Sequence, residues 1–149
     1  MTTIAVSRPA MMMASDTQLN SPDMSERGGS KLRRYKNFIA GFSGEVSDIS
    51  RMAEWLRKRD GRVRLSDASA LLLYRDGKIT SINEDLIEHE IHEDYYAIGS
   101  GRVAAIAAMD VMEMTGDVID PRLAVRVAAR RDPSTGEPIH FLRWRCRST

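Results

Sequence analysis

Lys31-Leu-Arg-Arg-Tyr-Lys-Asn-Phe-Ile-Ala-Gly-Phe-Ser-Gly44 is the stretch on which the fold turns. It opens as a basic cluster, and from Phe38 onward it is apolar or small and carries no charge. Such a run reads as a buried strand that ends in small residues. Directly after it, Val46, Ile49, Met52, Ala53 and Leu56 recur at helical spacing. A helix is therefore predicted from Val46 to Arg59, with Asp60-Gly61 as its stop.

On the N-terminal side, Thr2 to Ser7 is rich in β-branched residues, Arg8-Pro9-Ala10 interrupts, and Met11 to Ser15 follows. This reads as a hairpin, with Met11-Met12-Met13 packing within its strands. Residues 16–30 are polar and read as loop, punctuated by Pro22 and Gly28-Gly29. On the C-terminal side, Ala70 to Arg75 and Lys78 to Ile82 are strands joined by the two-residue turn Asp76-Gly77. Residues 83–94 are acidic and read as irregular. Tyr95 to Ile98 is a short strand, and Gly99-Ser100-Gly101 opens a helix to about Met114. A second helix follows Asp120 as N-cap and Pro121 at its first position, ending near Arg131. Ile139 to Trp144 closes the chain as a strand. Strands and helices come in blocks, so the expected fold is α+β: antiparallel sheets with helices stacked outside. No repeat or linker divides residues 1–149, and one domain is expected.

Composition excludes several classes. Net charge is +1, from 22 basic and 21 acidic side chains, so there is no whole-chain electrostatic case for nucleic acid or membrane. Trp55, Trp144 and Tyr95-Tyr96 lack the interleaved basic stripe of a nucleic-acid stacking surface. The single cysteine, Cys146, cannot form an intramolecular disulfide and suits a reducing cytosol. Nothing resembles a signal peptide, and no apolar run approaches the ~20 residues of a membrane span. A soluble, cytoplasmic protein is expected. His89 and His92 lie among carboxylates in Glu88-His-Glu-Ile-His-Glu-Asp94, but no further ligand cluster completes a metal site, and a solvated acidic loop is the stronger reading.

Three stretches carry a family resemblance. Thr2-Thr3-Ile4-Ala5-Val6 leads to Ala14-Ser15-Asp16-Thr17; Lys31-Leu-Arg-Arg-Tyr leads into Ile39-Ala-Gly-Phe-Ser-Gly44; and Tyr96-Ala-Ile-Gly-Ser-Gly101 precedes an alanine-rich helix. In this order and spacing they resemble the proteasome β-subunit and bacterial HslV protease family, over nearly the whole chain. Arg131-Asp-Pro-Ser-Thr-Gly136 resembles the family's Asp-x-x-Ser-Gly element. The resemblance implies a four-layer αββα sandwich, the N-terminal-nucleophile (Ntn) hydrolase fold. It implies a threonine-type peptidase in which Thr2 attacks once Met1 is removed.

The chemistry accounts for the residues. A threonine hydroxyl needs a base, and the α-amine of a first residue, with a reference pKa of ~7.7–8.0, can serve. Lys31 matches the family lysine whose charge keeps that amine unprotonated. Asp16 matches the carboxylate that pairs with it. A lysine in a polar site adds little to packing, so its loss should spare the fold. Gly41 matches the glycine whose N–H holds the oxyanion; sheet packing is an equal reason for a small residue there. Ser100 matches a serine near the nucleophile's amine, with a helix N-cap as the alternative. Asp132 and Thr135 match the supporting Asp and Ser, in a segment that is also a turn. In relatives, carbonyls of this turn bind a structural cation, so a monovalent or divalent cation is expected here; the chemistry itself needs no cofactor.

The resemblance further implies polypeptide substrates bound as an added strand near Thr17 and Gly41. It also implies a homo-oligomeric ring, hexameric or heptameric, single or doubled, and an HslU-like ATPase unfoldase as partner. Ala104, Ala105, Ala107 and Ala108 offer a flat helix surface for ring contacts, or for packing on the sheet. The chain departs from its relatives in length: about ten residues separate Arg59 from Ala70, where relatives carry a second long helix. Two other readings stand beside the peptidase: a small-amide hydrolase of the same fold, and a catalytically inactive ring-forming adaptor.

Overall fold

The computed structural model describes residues 2–21, 24–27, 31–133 and 135–145, and at 18–21 and 24–27 the backbone alone. The expectations attached to Met1, to Pro22 and Gly28-Gly29, and to Cys146 lie outside these residues. The strands are β1 (Thr3–Ser7), β2 (Met12–Ser15), β3 (Gln18–Ser21), β4 (Met24–Arg27), β5 (Leu32–Arg34), β6 (Phe38–Gly44), β7 (Ala68–Tyr74), β8 (Ile79–Ile82), β9 (Glu88–Ile91), β10 (Tyr95–Gly99) and β11 (His140–Arg143). The helices are α1 (Val46–Lys58), α2 (Arg102–Met114) and α3 (Pro121–Arg131).

Two antiparallel sheets lie face to face, one ordered β10-β1-β2-β11 and the other β5-β6-β7-β8-β9. Strand alternation sorts the side chains into layers. Ile4, Val6 and Met13 from one sheet meet Ile39, Leu71, Leu73 and Ile79 from the other in an inner core. On the far side of the first sheet, Ala5, Ala14 and Ala97 pack against Ala105, Met109, Ala124 and Ala128 of α2 and α3. On the far side of the second, Ala40, Phe42, Ala70 and Leu72 pack against Met52, Ala53 and Leu56 of α1. This is the four-layer α+β sandwich expected, with a single helix on one side.

Local signals behave as physics requires. Asp120 caps α3, its Oδ1 accepting from Arg122 N–H at 2.9 Å, with Pro121 first in the helix. α1 stops at Arg59, before Asp60-Gly61, in the left-handed conformation (φ 60°). The Arg59 guanidinium bonds Glu88 Oε1 at 3.1 Å and Tyr74 OH at 3.2 Å. It also lies over the rings of Phe38 and Trp55, so contacts of its side chain hold a backbone shape that a non-glycine residue seldom takes.

The polar segments correct the sequence reading twice. Strands β3 and β4 pair antiparallel, Gln18 with Arg27 through Ser21 with Met24, where loop was expected. Within the acidic stretch, β9 pairs with β8, and its exposed His89 and Glu90 cover a sheet edge with polar side chains. Both are main-chain pairings that leave no apolar alternation to read. Among the described residues no group of three or more His, Cys, Asp or Glu could hold a metal, the His89–His92 stretch included.

Between α1 and β7 there is no second helix. The Asp48 carboxylate organises this segment by accepting from Ser66 N–H at 2.9 Å, Ser66 Oγ at 3.0 Å and Asp67 N–H at 2.9 Å. These backbone donors, ahead of the other influences, hold its carboxyl below the usual range. Among the alanines of α2, Ala105 is fully buried, Ala104 and Ala108 border the same core, and Ala107 is exposed. No helix among the described residues is long and apolar enough to cross a membrane.

Candidate active site

The strands bring one end of each sheet together around the first residues of the chain. Thr2 precedes β1 and is buried, and its carbonyl accepts from Ser100 N–H at 2.9 Å. That approach needs glycine at residue 99, which has φ +97°, and where a Cβ would stand 1.7 Å from the Thr2 oxygen.

Asp16 follows β2 and is fully buried. Its Oδ1 accepts from Lys31 Nζ at 2.9 Å and from Thr3 N–H at 3.1 Å, and its Oδ2 from Gly136 N–H at 3.3 Å. Three elements distant in sequence thus converge on one carboxylate. Lys31 stands just before β5, and its side chain is 4% exposed. Burial is the largest influence on it and holds the ammonium below its usual range, while the charge of Asp16 and their hydrogen bond pull the other way. The expectation that Lys31 adds little to the fold is therefore corrected: removing it strands a carboxylate in the interior.

A second group forms beside the first. Asp132, after α3, takes a short hydrogen bond from Ser100 Oγ and one from Thr135 Oγ1 at 2.8 Å, both on Oδ2. Thr135 Oγ1 lies 2.8 Å from Thr3 Oγ1. Ser100 is not the cap of α2; that position falls to Gly101, with no side-chain cap, because the serine hydroxyl is committed to Asp132. Thr3 joins both groups and was not singled out from the sequence. A second threonine in a β-branched strand carries no signal of its own.

Gly41 lies apart, in the middle of β6, opposite Leu32 on one side and Leu71 on the other. Phe42 N–H donates to Lys31 O at 3.0 Å, so Phe42 faces β5 and, by strand alternation, the Gly41 N–H faces β7. It is spent in the sheet, which corrects the oxyanion role expected of it. Its packing role stands: a Cβ there would come within 2.5 Å of Ile4 Cγ2 and 2.9 Å of Met13 Sδ. Nor do Thr17 and Gly41 present free edges. Thr17 is buried, donating from N–H to Gly136 O at 3.2 Å and from Oγ1 to Pro138 O at 2.7 Å.

The turn expected to hold a cation is already engaged. Asp132 O accepts from Thr135 N–H at 3.0 Å and Gly136 O from Thr17 N–H, while Ser134 lies outside the described residues.

Layer order and sheet pairing are those of the Ntn-hydrolase fold. The chain is similar over 94% of its length to BPH of Thiobacillus denitrificans, covering 96% of that chain, with a TM-score of 0.74 and 17% identity; that structure was solved in complex with epoxomicin. A second BPH structure matches equally well, at 16% identity. Eukaryotic HslV from Trypanosoma brucei matches over 95% of this chain and 99% of its own, with a TM-score of 0.66 and 22% identity. No protein-family model and no curated protein matches the chain.

Proposed function

We propose that the chain is a threonine-type Ntn peptidase whose nucleophile is the Thr2 hydroxyl and whose base is the Thr2 α-amine, freed by removal of Met1. The observation that carries this reading is the shared oxygen of Asp16: one buried carboxylate holds both the Lys31 ammonium and the N–H of Thr3. A cation so placed disfavours protonation of an amine on the adjoining residue. Asp16 in turn favours the charged form of Lys31 against the cost of burial.

In the reaction, the Thr2 oxygen attacks the peptide carbonyl and its proton passes to the α-amine. That proton then leaves with the departing amine, and an ester to Thr2 remains. Water activated by the same amine hydrolyses the ester and restores the hydroxyl. Ser100, Asp132 and Thr135 orient residue 2. Unfolded polypeptides are the proposed substrates and the cytoplasm the proposed location.

The test of the nucleophile is the N-terminus itself. Intact-mass measurement of active protein should show the loss of one methionine. A preparation that hydrolyses peptides with Met1 fully retained sinks the assignment, because the base would be an amide.

The proposal extends to assembly as a ring of six or seven subunits, single or doubled, with an HslU-like ATPase as unfoldase. Exposed Val103, Val111 and Met114 along α2 give an apolar surface that association would cover. Light scattering is expected to give a mass several times 16.7 kDa. A strict monomer at working concentration overturns the ring and favours hydrolysis of a small amide.

A further inference from the structure

Thr3 takes no part in the bond-making proposed above, yet both halves of the site meet in it. It is fully buried. Its N–H donates to the Asp16 oxygen that also holds Lys31, and its carbonyl accepts from Asp16 N–H at 3.3 Å. Its hydroxyl lies 2.8 Å from Thr135 Oγ1.

Counting hydrogens gives this last contact a direction. An ionised carboxylate only accepts, and a hydroxyl has one hydrogen to give. Asp132 Oδ2 takes the hydrogens of Ser100 and Thr135. Thr135 then has none left for Thr3, so Thr3 donates to Thr135. The chain runs from Thr3 through Thr135 to Asp132, and Ser100, whose N–H holds the Thr2 carbonyl, joins from the other side.

We propose that Thr3 is a positioning residue, whose hydroxyl locks Thr135, Asp132 and Ser100 into one hydrogen-bond direction around residue 2. The inference rests on the reading of Thr2 as nucleophile. Valine at position 3 keeps the β-branch and the shape but gives no hydrogen. The Thr135 hydroxyl then keeps Asp132 as its acceptor but loses the hydrogen bond that orients and polarises it, so its donation to Asp132 weakens. The negative charge of Asp132 is then less compensated and favours an ammonium on Thr2. Charged or titratable groups on the elements beside β1 include Asp16 and Lys31, Arg102, whose Nη1 donates to Gly99 O at 3.2 Å, and His140, which pairs with Ser15. None of them is altered by the substitution.

The test uses full-length protein cleaved from an N-terminal fusion so that Thr2 is its first residue. The α-amine is titrated by pH-dependent acylation read by mass spectrometry, in parallel with hydrolysis of a fluorogenic peptide. Thr3→Val is expected to raise the amine pKa by about half a unit to one unit. The free-amine fraction below that pKa, and with it kcat, then falls by up to about tenfold, with KM unchanged. Thr3→Ser is expected to match the unsubstituted protein. An unshifted amine in Thr3→Val, or Thr3→Ser behaving like Thr3→Val, overturns the proposal. A shifted amine in a protein that hydrolyses nothing overturns the peptidase reading and leaves the role of Thr3 standing. Should Thr3→Val not fold, Thr135→Val cuts the same link from its other end. An unshifted amine there is equally fatal.

Discussion

Thr2→Ala, in protein that begins at residue 2, is expected to lose peptide hydrolysis by a factor of about 10⁴ or more while its melting temperature stays nearly unchanged. The size follows from role: when the nucleophile is removed, only binding and residual polarisation remain, and losses of that order are usual. The small stability change follows from place. Thr2 precedes β1, and the main-chain bond from Ser100 N–H to its carbonyl survives the substitution. Thr2→Ser keeps an oxygen in reach of the amine and should retain part of the activity, reduced because serine lacks the branch that limits χ1. Wild-type turnover in Thr2→Ala, measured with a fluorogenic peptide, excludes the N-terminal-threonine mechanism whatever the fold.

Replacing Lys31 should cost both activity and stability. In Lys31→Met the Asp16 carboxylate keeps its bonds from Thr3 N–H and Gly136 N–H but loses its cation, at 0% exposure. Breaking a buried pair from one side costs about 3–5 kcal/mol, and the two remaining donors argue for the lower end. In a domain of this size that lowers the melting temperature by roughly 6–12 °C. Loss of activity alone is therefore ambiguous, and the double variant Asp16→Asn/Lys31→Met resolves it. The ammonium is held below its usual range with burial as the largest cause, so Asp16 does not fully offset the desolvation of Lys31. Replacing both partners by neutral groups should return most of the stability, less about one hydrogen bond where the Asn amide meets Gly136 N–H. Activity should not return. Thermal melting and peptide hydrolysis of the two variants separate the roles: recovery of turnover with recovery of the fold would show that Lys31 was needed only for folding.

Much of this architecture is legible in the linear chain because it follows local periodicity. The apolar run of β6, the helical spacing of α1, the Asp120-Pro121 start of α3 and the Asp76-Gly77 turn each hold their meaning within a few residues. The resemblance added Thr2, Asp16 and Lys31 as a set. It could not add their burial, because what closes over Asp16 and Thr17 is the segment 135–138, more than a hundred residues away in the chain. Strands β3, β4 and β9 went unread for a different reason: their order comes from backbone pairing, to which side-chain pattern contributes little.

Gly41 marks the boundary between the two kinds of information. Its sequence context is equally compatible with an exposed donor and with a gap in the core. Strand alternation, counted from the bond between Phe42 and Lys31, turns its N–H into the sheet and its missing side chain toward Ile4 and Met13. Thr3 shows the same boundary from the other side. A threonine among β-branched neighbours reads as strand chemistry, and strand it is. What makes it a junction is a hydroxyl 132 positions away in sequence and 2.8 Å away in space. The chain alone determined which segments become strands and helices, because hydrogen-bond ladders and apolar faces repeat with the residue. Which side chains share a proton or a charge was decided only when the two sheets closed, because that depends on register between segments that carry no mark of one another.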